Sequence, residues 1–304
     1  MASSKTATLL GAGAILLWAT LASLTALRGA IPPFETTAIV FAIAGGVVLL
    51  AAAVRGRLAL VRPTLASLAL GVAGLFGYHA LYFAALKFAP PAEASLICSL
   101  WALFTVLFSA LLPGHRLRAA HLLGALLGLA AAAILVGGRL GAEPAGSAGM
   151  LGFILAFACA LVWSSYSVAS RLFAHVPSES IAAACFVTSA LALFASLVFE
   201  TWTPPEPISW LALAGLGLGP GGAAFLLWDI GMKGGSVPLL GVLSYASPIL
   251  STALLVALGL TPATWSLALA CVLMVAAAAL ATATPPRHMR RPDLAARQGT
   301  GQGP

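Results

Sequence analysis

Charge is scarce in this chain. Aspartate, glutamate, lysine and arginine together make up 8% of its 304 residues, and only eight residues are acidic. A soluble globular domain carries about a quarter charged residues, so a water-covered fold is excluded. Cysteine is rarer still. Cys98, Cys159, Cys185 and Cys271 sit in apolar surroundings at no metal-ligand spacing, which argues against a disulfide scaffold or a zinc site and leaves four small apolar fillers. Nucleophile motifs and paired acids are also missing. A polytopic membrane enzyme using Ser164, His79 and Asp229 therefore has little support, and no cofactor or metal is expected.

What the chain does have is hydrocarbon: 61% of residues are hydrophobic and the mean hydropathy is +1.04. About 20 apolar residues cross a bilayer, and such stretches recur near 7–28, 34–54, 64–86, 91–112, 118–137, 149–171, 180–200, 208–232, 236–259 and 262–283. The first follows Lys5 as a signal peptide might, but it is too long for one and nine more follow, so it is read as a mature span. The fold class is an all-α polytopic membrane protein with ten transmembrane helices. The stretch from Thr284 to Pro304, rich in Pro, Gly, Arg and Gln, has no apolar face to bury and reads as a disordered cytoplasmic tail.

Basic residues sort to one side of these spans. Lys5, Arg55, Arg57, Arg62, Arg116, Arg118, Arg171, Lys233, Arg287, Arg290, Arg291 and Arg297 fall on one face, and Arg28, Lys87 and Arg139 on the other. Lysine and arginine are retained in the cytoplasm, so both termini are placed there, in an inner (plasma) membrane of bacterial type. Glu35, Glu93, Glu143, Glu200 and Glu206 lie on or near the opposite face. The net charge of +7 thus reports topology, and no nucleic-acid partner is expected; the partners are the lipid bilayer and a small solute, and a monomer is expected.

Ten spans divide into two sets of five, and five is odd. Homologous halves of odd span number enter the bilayer from opposite sides, giving the inverted repeat of secondary transporters. At a shift of 145 to 146 positions Leu17-Trp18-Ala19 meets Val162-Trp163-Ser164. Leu81-Tyr82-Phe83-Ala84-Ala85-Leu86-Lys87 likewise meets Leu227-Trp228-Asp229-Ile230-Gly231-Met232-Lys233. The domains are then 1–140, the first repeat, 141–283, the second, and the tail, 284–304. With these correspondences and the Tyr245-Ala246-Ser247-Pro248 run of the ninth span, the chain resembles the EamA branch of the drug/metabolite transporter superfamily over residues 7–283. The resemblance implies a carrier working by alternating access. The family's proline in the fourth span of each half has Pro248 as its match, whereas Trp101 stands near the equivalent place in the first half. That departure favours a branch with an aromatic-lined site, and so the export of aromatic amino acids. Other solutes of such carriers, among them small aliphatic amino acids, nucleobases and drugs, remain the alternative.

Depth separates functional from structural tryptophans. Trp202, Trp210 and Trp265 lie near span ends, where amphipathic rings collect. Trp18, Trp101 and Trp163 fall roughly 15 Å from either end at 1.5 Å per residue, where a cavity-lining role competes with contact to lipid. Tyr78, His79 and Tyr82, at spacings of three and four, are predicted to share a helix face. A histidine inside a span is costly unless it serves a site. His79 either orders a substrate carboxylate, changes charge during transport, or holds a neighbouring helix. Gly219-Pro220-Gly221-Gly222 breaks the eighth span, marking either a binding site or a close packing of small residues. Pro248 is expected to kink the ninth span beside Ser244 and Tyr245, whose hydroxyls could reach a solute. Asp229 is the acid drawn into a span; Lys233, four residues on, offers an ion pair along one face. The predicted cavity is lined by spans one, three, four, six, eight and nine.

Overall fold

The computed structural model describes residues 3–89, 94, 97–113, 117–137, 147–259 and 262–282, and every regular element among them is helical. The tail from Thr284 and the charged residues Glu93, Arg116, Arg139 and Glu143 lie outside the described residues. In chain order the apolar helices are α1 (Ser4–Thr25), α2 (Pro33–Val54), α3 (Leu65–Phe88), α4 (Leu100–Leu111), α5 (Ala119–Ile134), α6 (Gly149–Phe173), α7 (Ser178–Phe199), α8 (Pro207–Gly234), α9 (Val237–Ala257) and α10 (Trp265–Leu280). Seven of these are long and apolar enough to cross a membrane, while α4, α5 and α10 are shorter among the described residues. The shortening of α4 has a local cause: the span predicted at 91–112 is interrupted by a turn at Ser99.

Sequence sets the ends of these helices. Pro33 and Pro207 open α2 and α8 at the first helical position, where a missing N–H costs nothing. The Thr64 hydroxyl accepts the Ser67 N–H at 3.2 Å and caps α3. Gly56, at φ +65°, lets the chain turn away after α2.

The distribution of side chains is that of a membrane protein. Large apolar groups such as Leu9, Val54, Leu65, Phe199 and Trp265 face outward, whereas Ala14, Ala44, Ala125, Ala156, Ala182 and Ala224 are fully buried. Lipid is as apolar as a leucine, so helices gain by approaching closely through small residues. The crossing of α1 and α8 is the clearest case, since a Cβ on Gly231 would lie 2.7 Å from the Cα of Gly11.

Helix pairing has a regular form. α2 packs on α7 and α5 on α10; α1 packs on α8 and α3 on α6; α4 packs on α6 and α9 on α1; and α4 meets α9. Exchanging each helix for the one five places away reproduces the same set of pairs. Local irregularities follow the same rule. α3 contains a π-helical turn at Ala73–Gly77 and α8 another at Gly219–Ala223, 219 − 73 = 146 positions apart. The turn at Ser99 likewise corresponds to the interruption of α9 at Ser244–Tyr245, with 245 − 99 = 146.

That interruption relocates the bend expected at Pro248. α9 consists of Val237–Leu243 and Ala246–Ala257, and Pro248 is the third residue of the second piece. The first four N–H groups of a helix have no intrahelical partner, so a proline there breaks no bond. The carbonyl of Ser244, its natural acceptor, receives the Ser247 N–H at 3.1 Å instead.

The α1–α8 crossing gives a direct test. Gly231→Leu should destabilise the protein by about 1–3 kcal/mol through overpacking, seen as a lower melting temperature in detergent. Gly46→Ala, where a Cβ has nothing within 4 Å, should melt no lower than the parent.

Candidate functional site

Four tryptophans from four helices meet in the middle of the bundle. Trp18 of α1 lies 6.4 Å from Trp101 of α4, 5.7 Å from Trp163 of α6 and 5.2 Å from Trp228 of α8, between ring centroids. Trp101 is 6.1 Å from Trp163 and 6.0 Å from Trp228. Most of these rings meet edge to face, the arrangement the ring quadrupole favours. The cluster extends on one side through Phe225, 5.6 Å from Trp163 and stacked at 5.5 Å on Phe41 of α2. On the other it extends through Tyr78, 5.2 Å from Trp163 and stacked at 5.9 Å on Tyr82. Where the sequence predicts an open cavity, this structure has rings packed on rings: Trp163 is 4% exposed and Trp228 1%.

Hydrogen bonds fix several of these rings. The Trp18 indole donates to the carbonyl of Pro220 at 3.1 Å, and Trp228 donates to the Ser167 hydroxyl at 3.0 Å. His79 Nδ1 lies 2.7 Å from the carbonyl of Leu75. Both backbone acceptors belong to the π-helical turns, where the ladder departs from its regular spacing, and the Leu75 carbonyl also accepts the Tyr78 backbone N–H. Each turn thus receives a ring N–H from a nearby aromatic side chain. Of the two readings of Gly219–Gly222, both features are present: the turn is broken, and Gly221 and Gly222 are buried against α2.

The predicted site residues do not all converge. Trp18, Trp101, Trp163, Tyr78 and Tyr82 come together. His79 packs on Tyr78 at 5.3 Å and on Phe41 at 5.2 Å and Phe83 at 6.1 Å, beside the four tryptophans rather than among them. Ser244 and Tyr245 are turned elsewhere. Ser244 donates to the Leu240 carbonyl at 2.7 Å. Tyr245 lies against Gly128 of α5 in a separate cluster with Ala102, Val106 and Ala270. The cause is the bend, which rotates the face carrying Tyr245 towards α5 and α10. Trp228, Phe225 and Phe41 are the members that sequence reasoning missed. The repeat carried the signal for two of them, since Trp228 stands 146 positions from Tyr82 and Phe225 146 from His79.

Both ends of the bundle are tied across helices. At the basic end Lys233 lies 2.7 Å from Asp229 and donates to the Val176 carbonyl at 2.9 Å. Arg171 donates to the carbonyls of Met232 and Gly235, and the Ser236 N–H to Thr8. At the other end the Glu200 carboxylate accepts the N–H groups of Phe34 and Glu35 at 2.8 and 3.0 Å, which caps α2 with a negative charge where its dipole favours one. Arg28 is held there by Ile31 and Thr36; burial lowers its guanidinium from the ordinary arginine value and nearby Glu200 opposes the shift. Among the described residues no three His, Cys, Asp or Glu side chains gather as a metal site requires.

The sequence model of the EamA-like transporter family matches this chain twice, over residues 5–137 and again over 150–283. The chain belongs to the EamA-like transporter family. Among EamA-like relatives, the aromatic amino acid exporter YddG of Ancylobacter novellus is 52% identical over 281 residues, covering 92% of this chain and 98% of its own. The exporter of the same name from Salmonella typhimurium is 26% identical, covering 87% and 92%. A crystal structure with 51% identity superposes at a TM-score of 0.89 over 92% of this chain and 98% of its own.

The Trp228–Ser167 bond is testable. Ser167→Ala leaves a buried indole N–H without its acceptor and should cost about 1–3 kcal/mol. Trp228→Phe combined with Ser167→Ala should restore part of that loss, as read from melting temperatures of the two variants.

Proposed function

We propose that this chain exports aromatic amino acids by alternating access between two inverted five-helix halves, residues 1–140 and 141–283, with the ring cluster as the solute site. The observation that carries the reading is the composition of that cluster. Trp18, Tyr78 and Trp101 come from the first half and Trp163, Phe225 and Trp228 from the second, so both halves hold the same solute. The name of the 52% identical relative supports the choice of solute. The double match of the family model supports the two halves, as do the π-helical turns 146 positions apart. Their inversion rests on the odd number of spans and the sorting of basic residues, which also places both termini in the cytoplasm.

The mechanism follows from ring geometry. A flat solute enters by replacing one ring-on-ring contact with its own, and each aromatic pair is worth about 0.5–1.5 kcal/mol beyond burial. Exchanging like for like keeps binding weak enough for release. The Asp229–Lys233 pair and the Arg171 bonds to α8 act in this reading as the cytoplasmic closure, structural rather than coupling groups. The 2.7 Å contact with Lys233 supports the structural role of Asp229.

Counterflow in liposomes tests the reading. L-phenylalanine and L-tryptophan should exchange, whereas L-threonine and adenine should not. Trp163→Ala removes several ring contacts and should lower aromatic counterflow roughly tenfold. Equal counterflow by parent and variant, or threonine exchanging as well as phenylalanine, would overturn it.

A further inference from the structure

The carbonyl of Leu75 is an acceptor only, so the His79 ring nitrogen 2.7 Å from it carries the proton. That nitrogen is Nδ1. In the neutral ring the other nitrogen, Nε2, is then a lone-pair acceptor and cannot donate. A charged ring would lack compensation, because the ion pairs among the described residues are Arg57–Glu179 and Lys233–Asp229. The Leu75 carbonyl, inside the π-helical turn, takes this ring N–H beside the backbone N–H of Tyr78, one on each lone pair.

Resting on the reading of this cluster as the solute site, we propose that His79 receives the ammonium group of the solute, and that the protein therefore also carries aromatic amines that have no carboxylate. Three features agree. The imidazole offers an acceptor where an ammonium offers three donors. Phe41, Tyr78 and Phe83 surround it with ring centroids at 5.2, 5.3 and 6.1 Å, a setting that attracts a cation through the ring quadrupoles. Donors for a carboxylate lie elsewhere: the indoles of Trp101 and Trp163 have no hydrogen bond to described residues. The assignment reverses the expectation that His79 orders a carboxylate, since a ring whose N–H is already given to the backbone has none left to give.

Three probes that share a phenyl ring separate the two polarities: L-phenylalanine, 2-phenylethylamine and 3-phenylpropionate, each titrated into the purified full chain. His79→Ala should weaken the first two about tenfold and leave 3-phenylpropionate within twofold. A loss greatest for 3-phenylpropionate, or equal for all three as a purely structural histidine would give, overturns the proposal. Solid-state nitrogen spectra of the histidine-labelled protein in liposomes should show His79 protonated at Nδ1 alone; protonation at Nε2 alone would also overturn it. Failure of the transport reading is distinct, because phenylalanine would then show no counterflow while 2-phenylethylamine still bound in a His79-dependent way.

Discussion

Surrounded by hydrocarbon, a backbone carbonyl must find its donor inside the protein, and the carbonyl of Pro220 finds one in the indole of Trp18. That bond joins the two halves at mid-bundle. The π-helical turn of α8 exists because Gly-Pro-Gly-Gly cannot sustain a regular ladder, and the acceptor it exposes orients the tryptophan touching Trp101, Trp163 and Trp228. The turn in α3 does the same with Leu75 and His79. Remove the broken turns and the rings lose the acceptors that aim them. Remove the Trp18 ring and the Pro220 carbonyl loses its indole donor in an apolar setting, at a cost of about 1–3 kcal/mol.

Close packing elsewhere makes this possible. Alanine and glycine at the helix crossings bring backbones near enough for one helix to bond to another's irregular turn. α1 touches α8 through Gly11 and Gly231, which brings Trp18, two helical turns further along α1, within reach of Pro220. The ties at both ends use the same economy of means: Arg171, Lys233 and Glu200 bond chiefly to backbone groups of neighbouring helices. Scarce charge is placed where helix ends leave polar groups open.

Much of this was legible in the sequence, and the parts that were not share a reason. Hydropathy located the helices, and the depth of Trp18, Trp101 and Trp163 marked their meeting place. The spacing of four between Asp229 and Lys233 is short enough that helix geometry alone brings them together. Tyr245 could not be placed this way. Its direction depends on the bend at Ser244–Tyr245, and a straight-helix projection through Pro248 points it to the wrong neighbour. Phe41 was invisible for another cause, being one of many apolar residues on α2 until α7 and α8 fix which face turns inward.

The two irregular turns also differ in a way that bears on motion. Trp18 reaches across from one half to satisfy the turn of the other, while His79 satisfies the turn of its own helix. A rearrangement of the halves must therefore break or carry along the Trp18 bond, whereas the His79 bond can survive any rigid movement of α3. The carbonyl of Pro220 needs a donor in every state, so a solute that displaces Trp18 must be matched by another donor or by water. The ammonium of an amino acid and the water admitted by an opening pathway are both donors. In the proposed cycle, solute entry and helix movement are linked through this single carbonyl, since the His79 bond stays within its helix and the Trp18 bond must be exchanged.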